Sequence, residues 1–173
     1  MTNFLLKTSV LLLTATTAFM AGCANKSTPS QQVVVAPNAI SGYTGKAYQG
    51  SALVNNSEEV KKAAANLPSL IHFDYNSDAI KPEAVSILDQ QIKFLNEHST
   101  ARVLVAGHTD ERGSREYNIS LGERRAAAVR NYLLGKGINQ AKIEIISFGE
   151  EQPIATGSDD ASWSKNRRVE FSY

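Results

Sequence analysis

The chain has 173 residues, with 18 Lys and Arg against 17 Asp and Glu and a formal charge of +1, so charge makes no case for a nucleic-acid partner. Its one cysteine, Cys23, excludes an internal disulfide and a Cys-x-x-Cys metal site. The length suits one domain of ordinary size plus extensions.

Residues 1–22 carry Lys7, then the apolar run Val10-Leu11-Leu12-Leu13, then small residues. This is a secretory signal pattern, too short and too early for a stable membrane span. Met20-Ala21-Gly22-Cys23 is similar to a bacterial lipobox, in which the leader is cut before the cysteine and the cysteine is lipidated. Several acyl chains on Cys23 would give lasting anchorage. Ala24, in place of the Asp of an inner-membrane retention signal, points to the outer membrane with the chain facing the periplasm. From Ala24 to about Ser57 the chain is rich in Ser, Thr, Gln, Asn, Gly and Pro and reads as a flexible tether. Val33-Val34-Val35 is its only apolar run, too isolated to build a core. Glu58 to Asn66 reads as a short helix stopped by Pro68. The expected division is a leader over 1–22, a lipidated start and linker over 23–66, and a folded domain over 67–173.

In that domain Ser69 to Tyr75 reads as a strand, and Asn76-Ser77-Asp78 turns the chain. Pro82 suits a first helical position, and Val85, Leu88, Ile92 and Leu95 follow at helical spacing to about His98. Arg102 to Ala106 is a buried strand. The next helix starts near Ser114 or at Ser120, where Ser120-x-x-Glu123 would form a capping box, and runs to Leu134 before Gly135 and Gly137. Ile143 to Phe148 is a strand, 149–164 a polar connection with room for one helical turn, and Arg168 to Tyr173 the last strand. The order predicts an α/β two-layer sandwich, with about four strands in a mixed sheet and two main helices.

The chain is organised around Gly107-His108-Thr109-Asp110-Glu111-Arg112-Gly113 and the helix that follows. Asp110 falls just past a strand end, where open α/β sheets place ligand sites. On a wheel of about 100° per residue, Leu121, Ala126, Ala128, Val129, Tyr132 and Leu133 share one arc. Arg125 falls inside that arc, while Arg124 and Arg130 fall outside. A guanidinium on the core side needs an anion, because an unpaired buried charge costs several kcal/mol. Asp110 is one possible partner, in a structural pair that only closes the fold; a ligand carboxylate is the other.

His108-x-Asp110 offers too few ligands for a metal, and there is no Gly-x-Ser-x-Gly nucleophile motif. No metal, cofactor or catalytic residue is expected, although a wall hydrolase using His108 and Asp110 is the enzyme alternative.

The segments Ile71-His72-Phe73-Asp74-Tyr75-Asn76-Ser77, Gly107 to Gly113, Tyr117 to Ala126 and Ser164-Lys165-Asn166-Arg167-Arg168-Val169 resemble the OmpA-like peptidoglycan-binding domain family, in order, over roughly residues 69–173. The leader and tether are similar to those of its lipid-anchored members. The resemblance implies an outer-membrane protein that grips the wall without covalent attachment. It implies that Asp110 and Arg125 clamp the free end of meso-diaminopimelate in the peptidoglycan stem peptide. Tyr75 and Asn76 in the first turn, and Asn118, Leu121 and Val169, map onto further contact positions. Asn76 stands where some members carry Asp. The implied protein partner is TolB, the periplasmic β-propeller of the Tol system.

Overall fold

The computed structural model describes residues 34–35 and 54–173; the expected leader, Cys23 and most of the tether lie outside the described residues. In chain order the elements are β1 (Val34–Val35), α1 (Glu58–Ala64), β2 (Leu70–His72), a 3-10 turn (Pro82–Ala84) leading into α2 (Val85–Glu97), β3 (Val103–His108), α3 (Arg115–Gly135), a 3-10 turn (Gln140–Lys142), β4 (Ile143–Gly149), α4 (Asp160–Asn166) and β5 (Arg168–Ser172). The sheet runs β1-β4-β3-β5-β2. β3 is parallel to β4 and antiparallel to β5, β2 is antiparallel to β5, and β1 is parallel to β4. The expected α/β sandwich forms, and its four strands gain a fifth of two residues at the edge of β4.

All six residues of β3 are buried, which is why its sequence reads as an unbroken apolar run rather than an alternating one. Val103 and Val105 share a core with Leu88 and Leu95 of α2 and with Ala126, Val129 and Leu133 of α3. Leu104 and Ala106 point the other way, into a second cluster with Val54, Ile146 and Phe148.

The packed part begins ahead of the expected boundary at residue 67. Val54 and Val60 are buried, and the Asn56 amide both donates to the Arg102 carbonyl at 2.8 Å and accepts the Arg102 N–H at 2.9 Å. Val34–Val35, expected inside the tether, pairs with Ile146 and Ser147. Composition hid both facts: short polar-flanked segments cannot build a core alone, but one can pack onto a core built elsewhere and another can pair at a sheet edge.

Ser114 caps α3 by accepting the Tyr117 N–H at 3.2 Å, which settles the ambiguous start and leaves Ser120-x-x-Glu123 inside the helix. The helix lies very close to the sheet. A Cβ on Gly107 would stand 1.9 Å from the Gly122 carbonyl oxygen, and one on Gly122 would stand 2.4 Å from Ser147 Oγ. Ser147 Oγ donates to the Ile119 carbonyl at 2.7 Å, so helix and strand are also tied by hydrogen bonding. β2 ends at His72, short of the expected Tyr75, because the chain then turns its carbonyls toward α3.

Candidate ligand-binding site

Arg125 is fully buried, as its place in the apolar arc requires, whereas Arg124 is exposed and pairs with Asp78 at 3.2 Å. Among the described residues the Arg125 guanidinium meets no carboxylate. Nε donates to the Ser77 carbonyl at 2.8 Å, Nη1 to the His108 carbonyl at 2.8 Å, and Nη2 to the Asp74 carbonyl at 3.0 Å. The direct Asp110–Arg125 pair, one of the two partners left open for Arg125, is therefore absent among the described residues. Those three carbonyls come from the turn after β2 and the end of β3, so Arg125 staples α3 to both. Burial pushes its pKa down to about 10, with the charge of Asp110 opposing that shift, so the group stays protonated at neutral pH.

Asp110 is 4% exposed and is claimed by other arginines. Its Oδ1 accepts the Arg112 N–H at 3.1 Å and Arg112 Nε at 3.2 Å; its Oδ2 accepts Arg112 Nη2 at 2.7 Å and Arg167 Nη1 at 3.2 Å. Burial alone would raise the Asp110 carboxyl, but these donors outweigh it and hold the group below the usual carboxylate range.

These groups line one cleft of about 320 Å³. Six of the seven expected ligand residues line it: Tyr75, Asn76, Asp110, Asn118, Leu121 and Arg125. Tyr75 stands exposed at the rim. Asn76 adopts φ 52°, a left-handed conformation that Asn tolerates, and its Oδ1 accepts the Tyr117 hydroxyl. Asn118 donates to Glu150, and Leu121 is buried beside it. Val169 is the exception. It is fully buried, pairs with Ile71 and Gly107, and belongs to the core that faces the helices. Strand alternation sends its side chain inward, while Arg167, two residues earlier, reaches Asp110.

Sequence reasoning assigned no role to Thr109, Arg112, Gly113 and Tyr117, which also line the cleft. The Thr109 hydroxyl is buried and has no hydrogen-bond partner among the described residues. The signal available for Arg112 was its spacing from Asp110, since an acidic side chain in a turn readily meets the residue two positions on.

His108 stands apart from the cleft chemistry. Its ring is 1% exposed, stacks on Phe148 at 5.3 Å between centroids, and neither nitrogen has a partner among the described residues. Burial, reinforced by Arg168, holds its pKa well below the ordinary 6.5. Buried against Phe148 and outside the residues that line the cleft, the ring is not placed to act with Asp110 in hydrolysis. It also makes a pH prediction. The unfolded chain takes up this proton first, so the contribution of His108 to stability is complete above 6.5 and is lost as pH falls below that value toward its folded-state constant. His108→Asn should flatten a curve of unfolding free energy against pH between about 6.5 and 5, removing a slope of up to about 1.4 kcal/mol per pH unit. An unchanged slope in urea titrations would contradict this.

A model of the OmpA family matches residues 72–167. The peptidoglycan-associated lipoprotein of Pseudomonas putida is 44% identical over 156 residues, which cover 89% of each chain. The chain belongs to the OmpA family, among its peptidoglycan-associated lipoproteins. The crystal structure of the peptidoglycan-associated lipoprotein from Burkholderia pseudomallei is similar at 40% identity and a TM-score of 0.60, over 61% of this chain and 90% of that one. The C-terminal domain of Helicobacter pylori MotB is similar at 26% identity and a TM-score of 0.56, over 61% and 85%. The OmpA-family match spans all six expected residues that line the cleft and stops before Val169. Members of this family are binding proteins, and the chain is no enzyme.

Proposed function

We propose that this chain is an outer-membrane lipoprotein, anchored through Cys23, whose cleft binds the diaminopimelate end of peptidoglycan stem peptides. The observation that carries this reading is Arg125. It is a fully buried cation held by three backbone carbonyls and, among the described residues, no carboxylate. A guanidinium has five N–H groups, so two remain beyond those three bonds. A rigid, desolvated guanidinium with spare donors is a receptor for a planar anion such as a carboxylate. Asp110, on the same cleft, supplies the opposite charge for the ammonium of the same ligand end. The side chain of meso-diaminopimelate ends in both groups. Noncovalent attachment of outer membrane to wall follows, and TolB is the protein partner that the family resemblance implies.

Lysine tests the reading because it has the ammonium and lacks the carboxylate. A site built for a polar group rejects the analogue that leaves its own buried groups unpaired. A stem peptide with lysine should bind at least about tenfold more weakly than its diaminopimelate counterpart, roughly 1.4 kcal/mol, in a calorimetric titration. The preference should vanish in Arg125→Ala. Equal affinities for the wild type would mean that the carboxylate is not recognised and that Arg125 only staples the fold.

A further inference from the structure

The Asp110 carboxylate has no vacancy. A carboxylate offers about four lone-pair positions. Asp110 accepts the Arg112 N–H and Nε on one oxygen, and Arg112 Nη2 and Arg167 Nη1 on the other. An incoming ammonium can bind there only if a donor leaves. The Arg112 N–H is part of the turn. Arg167 is the more enclosed arginine, its side chain 14% exposed, and its Nε also donates to the Phe73 carbonyl at 3.1 Å. The Arg112 side chain is 29% exposed and lines the cleft, so it is the donor free to move.

Arg112 has a second set of contacts. Its guanidinium lies 4.0 Å from the Tyr75 ring centroid and 4.0 Å from that of Trp163. Two aromatic faces thus hold one cation against the carboxylate. Trp163 belongs to α4, and its indole N–H donates to Glu111 Oε1 at 3.3 Å, an oxygen that also accepts Ser158 Oγ at 2.6 Å. Glu111 and Arg112, both in the loop carrying Asp110, are therefore each fastened to Trp163 of α4.

We infer that Arg112 occupies on Asp110 the place of the ligand's cation, that Tyr75 and Trp163 hold it there, and that ligand binding displaces it. The inference rests on the proposed recognition of diaminopimelate. It adds that the site is self-occupied when empty. Only a ligand that brings its own cation to Asp110 and an anion to Arg125 can open it. Trp163 is a positioning residue that acts through Arg112.

Trp163 is the only tryptophan in the chain, so its emission reports directly on the loss of its guanidinium neighbour. The test titrates the purified protein with synthetic Ala-γ-Glu-meso-diaminopimelate, followed by calorimetry and by tryptophan emission. In the wild type, heat and emission should change with the same midpoint. Arg112→Ala should bind at least about fivefold more tightly, because a binding-competent state populated only in part lowers the apparent affinity by that fraction. Its emission should no longer respond to ligand. Arg112→Lys, which restores a cation, should bring affinity back toward the wild type, a result that a merely structural role would not produce. Trp163→Leu removes one aromatic face while sparing both ligand-facing charges, and should also bind more tightly than the wild type. Wild-type binding with unaltered emission, or equal or weaker binding by folded Arg112→Ala or Trp163→Leu, overturns the inference and leaves the recognition of diaminopimelate standing. Absence of wild-type binding overturns that recognition, and the inference with it.

Discussion

Arg125→Lys should lose most of its grip on the wall although the charge is kept. The guanidinium serves three carbonyls, those of Asp74, Ser77 and His108, from one plane. An ammonium has three N–H groups, so the same three carbonyls would exhaust it and leave none for a ligand carboxylate. A compact ammonium also cannot reach three acceptors arranged around a planar fork. Any carbonyl left behind is a buried acceptor without a donor. Arg125→Ala removes the charge altogether and should bind no better. Truncating one partner of a buried hydrogen-bonded charge pair costs about 2–5 kcal/mol, which is at least about thirtyfold in affinity. The readout is co-sedimentation with purified sacculi, beside near-ultraviolet circular dichroism to show that the fold is intact. Retention of folded Arg125→Ala at the wild-type level would refute the clamp.

The second large effect concerns stability. Gly107→Ala places a methyl group 1.9 Å from the Gly122 carbonyl oxygen. The methyl is fixed to the backbone of β3 and the atoms it meets are backbone of α3, so neither can swing aside as a long side chain would. The helix must back away from the sheet. That would strain the Ser147–Ile119 hydrogen bond and pull Arg125 from the His108 carbonyl. Overpacking typically costs 1–3 kcal/mol, and this contact belongs at about 3 kcal/mol or above. For a domain of this size the melting temperature should drop by on the order of 10 °C. Gly135→Ala supplies the comparison. Nothing lies within 4 Å of its added Cβ, and the position is helical, so it should stabilise by up to about 1 kcal/mol. Thermal unfolding of both variants checks the pair of signs. A Gly107→Ala protein that melts with the wild type would show that α3 is not seated by this contact.

The two effects meet at one place. The glycine contact sets how deep α3 sits, and the depth decides whether Arg125 reaches carbonyls contributed by the turn after β2 and by β3. Weak wall binding by Gly107→Ala would therefore carry no separate information about the ligand.

Periodicity in the sequence determined which side chains face inward. Arg125 falls inside the apolar arc of its helix, Arg124 and Arg130 outside it, and the structure buries the first and leaves Arg124 exposed. The strand–loop–helix order placed Asp110 just beyond β3, and the quoted motifs pointed to the family that the comparisons establish. These features are legible because each depends on residues a few positions apart, through backbone geometry that repeats at 3.6 or 2 residues. What fills the space opposite a side chain depends on segments far away in the chain, and only the tertiary structure decided that. Arg125 meets carbonyls 48 and 51 residues before it in place of Asp110. Asp110 is taken by its neighbour Arg112 and by Arg167, 57 residues on. Val169 shares the motif but alternates into the core. Charge alone does not say which of several arginines reaches a carboxylate, since that choice turns on ångström differences in how loops from β2, β3 and α4 converge.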